Sequence, residues 1–159
     1  MVKNIKLLLL KNQKQEVMIM KHKQTEDGNF LIKLEPGDRV INAINSIMEY
    51  LNIKAGLITG IGAVNNPTLG YFDINQKKYI EKTLTGNFEV LSLNGNIAQK
   101  EEKPFCHIHV ILGDNEMKTF GGHLIEMEVT VTLELIVIPL KENLRRTPDE
   151  TTSLWLWNL

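Results

Sequence analysis

The sequence predicts an α+β protein, a β-rich relative of the α/β class, in which one amphipathic helix packs on a mixed, largely antiparallel sheet. One stretch of the chain has strong helical periodicity, and most of the remainder alternates or is uniformly apolar over strand lengths. Turn residues separate these strands by short connections, which favour antiparallel pairing because parallel crossovers need a dozen or more residues. The 159 residues suffice for one domain with a sizeable core.

The first elements are predicted to be strands. The apolar run Ile5–Leu10 is far too short for a membrane span of roughly 20 residues, and we interpret it as an edge strand or an ordering segment. Residues 16–21 and 30–34 are further apolar segments, and Asp27-Gly28-Asn29 between them is typical of a turn. The two segments therefore predict a β-hairpin.

The helix is predicted to follow Glu35-Pro36-Gly37, which breaks the preceding strand. Asp38 has the residue type and the position of an N-cap. The apolar residues beyond it recur at helical spacing, so this helix should lie across the sheet. They are Val40, Ile41, Ile44, Ile47, Met48 and Leu51.

The rest of the chain predicts six strands separated by turns. After Leu135 the last strand is apolar on both faces, which predicts burial on both sides. Gly60-Ile61-Gly62 lacks the third glycine and the following helix of a dinucleotide-binding loop, so these glycines indicate a bulge or a close backbone approach. The strands are residues 55–61, 69–72, 78–83, 88–93, 105–112 and 129–140, with turns that include Asn65-Asn66-Pro67, Asn94-Gly95 and Gly121-Gly122.

Composition argues against several classes of partner. The formal charge is -1 and the pI about 6.4, with no basic stripe, which argues against direct binding to a nucleic-acid backbone. Cys106 is the single cysteine, so no internal disulfide is possible, and a free cysteine is typical of a core position. With neither a membrane segment nor a signal-peptide pattern in the sequence, we expect a cytoplasmic protein.

Three of the four histidines predict a metal site. His107 and His109 are two residues apart on a strand and therefore point to the same face, opposite Cys106. A tight turn at Gly121-Gly122 could bring His123 beside them. Three imidazoles suit Zn²⁺ or a similar divalent ion and leave a further position for water or substrate.

Two carboxylates are candidates to complete this site. Glu89, on a neighbouring predicted strand, could be a fourth ligand or a base, and Glu126 could orient an imidazole. The spacing alone also allows another interpretation, in which His107 and His109 are satisfied polar residues at a subunit contact. The fourth histidine, His22, is expected at the surface.

Several segments in order resemble the plants-and-prokaryotes-conserved (PPC) domain in its stand-alone prokaryotic form. The resemblance covers residues 27–159 as one globular unit and leaves residues 1–26 as an N-terminal strand segment or extension. Within it, the G-I-G-A, H-x-H and G-G-H motifs recur in order. The segments are LIKLEPGDRVINAINSI, IKAGLITGIGAVNNPTLGYFD, FEVLSLNGNIA, PFCHIHVILGD, FGGHLIEMEV and LRRTPDETTSLWL.

The resemblance implies a compact domain that is usually a homotrimer. It also implies a fold kinship with acetolactate decarboxylase, whose zinc is held by an H-x-H pair and a later histidine, which here are His107, His109 and His123. The carboxylate ligands and the arginine of that enzyme have no motif match in this chain, and Glu89, Arg145 or Arg146 correspond to them by residue type alone.

The family also includes plant nuclear proteins in which a separate basic AT-hook, R-G-R-P, grips DNA while the PPC domain mediates assembly. This chain has no R-G-R-P. Two functions therefore remain open. One is a three-histidine, zinc-binding protein with a small-molecule or regulatory role. The other is an oligomerisation or regulatory module, of the kind labelled DNA-binding, without metal chemistry. The sequence assigns no catalytic residue, substrate or reaction.

Overall fold

The computed structural model describes residues 6–11 and 17–159, with side chains from residue 21 onward, and confirms the β-rich α+β fold. Over these described residues, one eight-stranded sheet carries one helix, α1 (Val40–Tyr50), and the pairings between its strands are antiparallel. The strands are β1 (Lys6–Lys11), β2 (Val17–Gln24), β3 (Phe30–Leu34), β4 (Gly56–Asp73), β5 (Lys78–Thr83), β6 (Asn87–Lys100), β7 (Lys103–Gly113), β8 (Thr119–Pro139), and a separate hairpin of β9 (Arg146–Pro148) and β10 (Trp155–Trp157).

The long strand β8 organises the sheet, whose order is β1-β2-β3-β8-β7-β6-β4-β5. Besides β3 and β7, β8 also pairs with β4, so β8, β7, β6 and β4 form a closed ring of paired strands. At the start of β8, His123 has neighbours on both sides, His109 of β7 and Gly70 of β4. The strand thus brings the third histidine to the first two.

Three predicted turns lie inside strands instead. Asn65-Asn66-Pro67 belongs to β4, where the register against β8 shifts between Asn65 and Thr68. Asn94-Gly95 is paired within β6, and Gly121-Gly122 is paired with β7. Neighbouring strands pair with these residues, and at Asn65-Asn66-Pro67 a register irregularity accommodates the turn-type residues within the strand.

The helix packs its apolar face on the sheet as predicted, but its N-terminus differs from the prediction. Arg39 is the N-cap residue and makes no side-chain capping bond. Asp38 instead accepts a hydrogen bond from the Glu35 backbone N–H at 2.8 Å, so its side chain closes the preceding turn. The buried helical residues are Val40, Ala43, Ile44, Ile47 and Met48.

The N-terminal strands confirm the predicted edge strand and hairpin. β1 lies at one edge of the sheet, and β2 pairs with both β1 and β3; Ile5 lies outside the described residues. His22, expected at the surface, is only 5% exposed. Its register partner is the buried Ile32, because both β2 and β3 direct alternate residues inward. The ring of His22 meets the ring of Tyr50 edge-on.

No helix in the described part of the chain is both long and apolar enough to cross a bilayer.

The C-terminal hairpin of β9 and β10 lies along β6, where Gln99 forms a bridge with Arg145. The division into residues 1–26 and 27–159 stays a prediction.

Candidate metal centre and adjoining cavity

The alternation of β7 sets the direction of the first two histidines. Cys106, Ile108 and Val110 point into the core, and His107 and His109 therefore share the opposite face. The core position predicted for Cys106 is confirmed, and burial raises the pKa of its thiol to about 12. The thiol is buried in the core and points away from His107 and His109, so it faces neither the histidines nor solvent.

His107, His109 and His123 converge. Each offers one nitrogen, and these three atoms lie within 4.8 Å of one another. The Nε2 atoms of His107 and His109 are 3.2 Å apart. Two nitrogen ligands of a tetrahedral zinc ion, each bound at about 2.0–2.1 Å, would be about 3.3–3.4 Å apart. The spacing of this pair therefore suits a shared metal ion.

His123 is held in place by an aromatic stack. Its ring lies parallel to that of Tyr79, with the centroids 4.8 Å apart and an interplanar angle of 26°. Gly70, the register partner of His123, makes room for this stack, because a Cβ at Gly70 would lie 2.8 Å from Tyr79 Cδ1. The Nδ1 atom of His123 is buried and has no hydrogen-bond partner among the described residues. An unpartnered imidazole nitrogen of this kind can bind a metal ion through its lone pair.

The environment keeps two of the three imidazoles neutral. Burial lowers the pKa of His107 to about 4, and the Arg146 guanidinium and His109 act in the same direction. Burial likewise lowers the pKa of His123 to about 4, with smaller contributions from His107, His109 and Arg146. Neutral imidazoles present the lone pairs that a divalent ion requires, without first losing a proton.

The two candidate carboxylates do not join this group. Glu89 pairs with Gly113, four residues along β7 from His109, a separation of about 13 Å at about 3.3 Å per residue. Glu126 is committed elsewhere, because its Oε1 accepts a hydrogen bond from the Ile41 backbone N–H at 2.9 Å. It lies three residues after His123, and this bond turns its side chain toward helix α1 and away from the histidines. Neither residue is therefore placed as a ligand or as an orienting partner.

An arginine from the C-terminal hairpin lies beside the histidines. Arg146 is only 7% exposed, and it donates one hydrogen bond to Asn96 Oδ1 and one to the Trp155 carbonyl, both at 2.7 Å. Its neighbour Arg145 points outward and pairs with Glu102 at the surface. Residue type alone could not distinguish the two arginines. The sequence signal that could separate Arg145 from Arg146 was strand alternation at β9, which turns adjacent side chains to opposite sides.

A cavity of about 190 Å³ adjoins the histidines. His107 and His123 form part of its wall, with Arg146, Lys100 and Tyr79 beside them. The apolar part of the wall comes from Phe105 of β7 and from the C-terminal hairpin, whose contribution the sequence did not reveal. The hairpin residues are Leu154, Trp155 and Leu156, with Ser153 next to them.

Fold and site together define a β-rich α+β protein with a three-histidine group at the edge of a small, positively charged cavity. The Plants and Prokaryotes Conserved (PCC) domain matches residues 21–141, and the chain therefore belongs to this family. This confirms the family indicated by the sequence motifs.

Solved structures agree with this assignment. A metal-containing protein from Archaeoglobus fulgidus is 36% identical, with a TM-score of 0.78 over 99% of this chain and 100% of that chain. A plant- and prokaryote-conserved protein from Pyrococcus horikoshii is 33% identical, with a TM-score of 0.78 over 87% and 94% of the two chains. A Bacteroides thetaiotaomicron protein named "putative DNA binding protein" is 25% identical, with a TM-score of 0.84 over 87% and 96%. No curated protein matches this chain.

Proposed function

We propose that this protein binds a divalent metal ion, zinc, through His107, His109 and His123. The observation that carries the proposal is the convergence of three imidazole nitrogens within 4.8 Å. Three imidazole nitrogen donors are a typical ligand set for zinc with an open position. The name of the Archaeoglobus relative, a metal-containing protein, supports the same conclusion.

The metal would serve a small-molecule or regulatory role. Three protein ligands leave a further coordination position, and the cavity formed partly by His107 and His123 gives a small molecule access to the same place. A zinc ion so placed can polarise a carbonyl group or lower the pKa of a bound water. The kinship with acetolactate decarboxylase and the cytoplasmic location stay predictions, and we assign no reaction.

Elemental analysis of the purified protein tests the proposal. We expect close to one zinc ion per chain after zinc loading and removal of free metal. The double substitution His107→Ala/His109→Ala should abolish binding, because it removes two of three ligands. Glu89→Gln is the matched control, since Glu89 lies on the same side of the sheet but about four residues along the strand from the histidines. It should retain the full metal content.

The alternative function is an assembly or regulatory module without metal chemistry. Its supporting observation is the exposed apolar outer face of the sheet, which includes Ile61 and Val131, at 60% and 66% exposure. If the histidines serve only a subunit contact, the wild-type protein will hold no zinc, and the double histidine variant will change its oligomeric state instead. Zinc content and oligomeric state, measured on the same samples, therefore distinguish the two functions.

A further inference from the structure

Among the described residues, the wall of the cavity beside the histidines carries two cations, Arg146 and Lys100, and no aspartate or glutamate. The ammonium of Lys100 lies 4.9 Å from the ring centroid of Trp155, above its face. Within the same part of the chain, neither cation takes part in an ion pair with a carboxylate. The positive charge of the cavity is therefore uncompensated by the described residues.

Arg146 makes this imbalance costly. Its two hydrogen-bond acceptors, Asn96 Oδ1 and the Trp155 carbonyl, are neutral, and its buried Nε has no partner in the described part of the chain. A buried charge without a counter-charge is strongly unfavourable. A zinc ion at the neighbouring histidines would add two further positive charges. An anion in the cavity would neutralise both groups at once.

We propose that this cavity binds the carboxylate of a small organic acid, held by Arg146 and Lys100 beside the metal. The part of this inference that concerns the metal rests on the function proposed above. A planar guanidinium with free N–H groups matches a carboxylate in shape and charge, and charge-assisted hydrogen bonds of this kind are strong.

The walls favour an organic acid over an inorganic anion. Phe105, Leu154 and Trp155 present apolar surface to the cavity, which would contact a short carbon chain. Inorganic phosphate has no apolar part to contact these walls. A volume of about 190 Å³ holds about six water-sized groups of about 30 Å³ each, which sets the size of the acid.

Isothermal titration calorimetry with butyrate tests the inference. Butyramide is the neutral probe of the same shape, and inorganic phosphate is the competing anion. Zinc-loaded wild-type protein should bind butyrate saturably, more tightly than phosphate, and should not bind butyramide. Arg146→Gln should raise the Kd for butyrate about tenfold or more, because the buried charge partner is lost. Lys100→Gln should raise it less, since Lys100 is more exposed.

Arg145→Gln is the matched control, because Arg145 is adjacent in sequence but pairs with Glu102 at the surface. It should leave the Kd for butyrate unchanged. Because Arg146 also holds the C-terminal hairpin, Arg146→Lys is measured as well, and it should keep part of the affinity by keeping the charge. Circular dichroism and zinc content must match wild type for each variant that is compared.

Three results would overturn the inference: no saturable butyrate binding to zinc-loaded protein, an affinity unchanged in both Arg146→Gln and Lys100→Gln, or tighter binding of phosphate. Failure of the metal proposal is separate, because it shows as absent zinc in elemental analysis. Butyrate binding that depends on Arg146 in a protein without zinc would support the anion site while rejecting the metal site.

Discussion

Gly62 determines how closely two central strands of the sheet approach each other. It lies at a register shift in β4, where both β6 and β8 pair with this strand. A Cβ at this position would lie 2.1 Å from the Thr132 carbonyl oxygen and 2.7 Å from Leu133 Cα. Both are backbone atoms of β8 and cannot move aside as a flexible side chain can. The bulge or close approach that the sequence indicated at Gly60-Ile61-Gly62 is thus confirmed.

We expect Gly62→Ala to lower the free energy of unfolding by about 2 kcal/mol or more, since overpacking of this kind forces backbone shifts. Denaturant unfolding of the metal-free protein measures the change. Gly113→Ala is the control, because the nearest atom to its added Cβ is a side-chain atom, Leu91 Cδ1, at 3.3 Å. An equal loss of unfolding free energy in Gly62→Ala and Gly113→Ala would show that the backbone contact at Gly62 is not the cause.

Helix α1 is capped by a residue from a distant strand. Glu126 of β8 accepts hydrogen bonds from the backbone N–H groups of Ile41, in the first turn of the helix, and of Met127, at 2.9 and 3.0 Å. Its other oxygen lies 3.6 Å from Arg39 Nε. A carboxylate at a helix N-terminus also interacts favourably with the helix dipole. The contact joins helix and sheet, which explains why Glu126 is unavailable to the histidines.

Glu126→Ala should lower the free energy of unfolding by about 1–2 kcal/mol, because the first turn of α1 loses its capping acceptor. Zinc content should not change. Glu126→Gln keeps an acceptor oxygen and loses the charge, so its effect should be smaller. If Glu126→Ala instead removes zinc without lowering stability, Glu126 supports the metal site and its assignment to the helix is wrong.

At the scale of the whole molecule, the outer face of the sheet remains exposed. The second half of β8 was predicted to be buried on both faces, but Ile136 and Ile138 are 44% and 40% exposed in the single chain. Their register neighbours Leu31 and Leu57 are exposed as well. A contiguous apolar face of this kind on a folded chain is typical of a subunit interface. The homotrimer implied by the family resemblance is consistent with it.

We therefore expect the protein to elute as a homo-oligomer, a homotrimer on the family expectation, with a mass well above the 18.1 kDa of one chain. Size-exclusion chromatography with light scattering measures this mass. Ile61→Lys/Ile136→Lys should shift the protein toward the monomer, because burying two charges at the interface is unfavourable. Glu49→Lys, a charge change at an exposed position of helix α1 and away from this face, is the control. A monomeric wild type would contradict the prediction.

Local sequence patterns were sufficient to predict many of the elements of this protein and the direction of several side chains. The spacing of apolar residues located α1 and the boundaries of β3 and β5, since periodicity depends only on neighbours along the chain. Alternation on β7 placed His107 and His109 on one face and Cys106 in the core for the same reason. The Gly121-Gly122 pair before His123 and the family motifs together added His123 to the pair.

Features that depend on non-local pairing were beyond the sequence pattern. Turn-type residues at Asn94-Gly95 and Gly121-Gly122 form strand, because neighbouring strands satisfy their backbone groups and outweigh local preference. Folding separated Glu89 and Glu126 from the histidines, and it brought Arg146 of the C-terminal hairpin to them across β6. Charges distant in sequence meet only through the register of the strands that carry them, and no local pattern encodes that register.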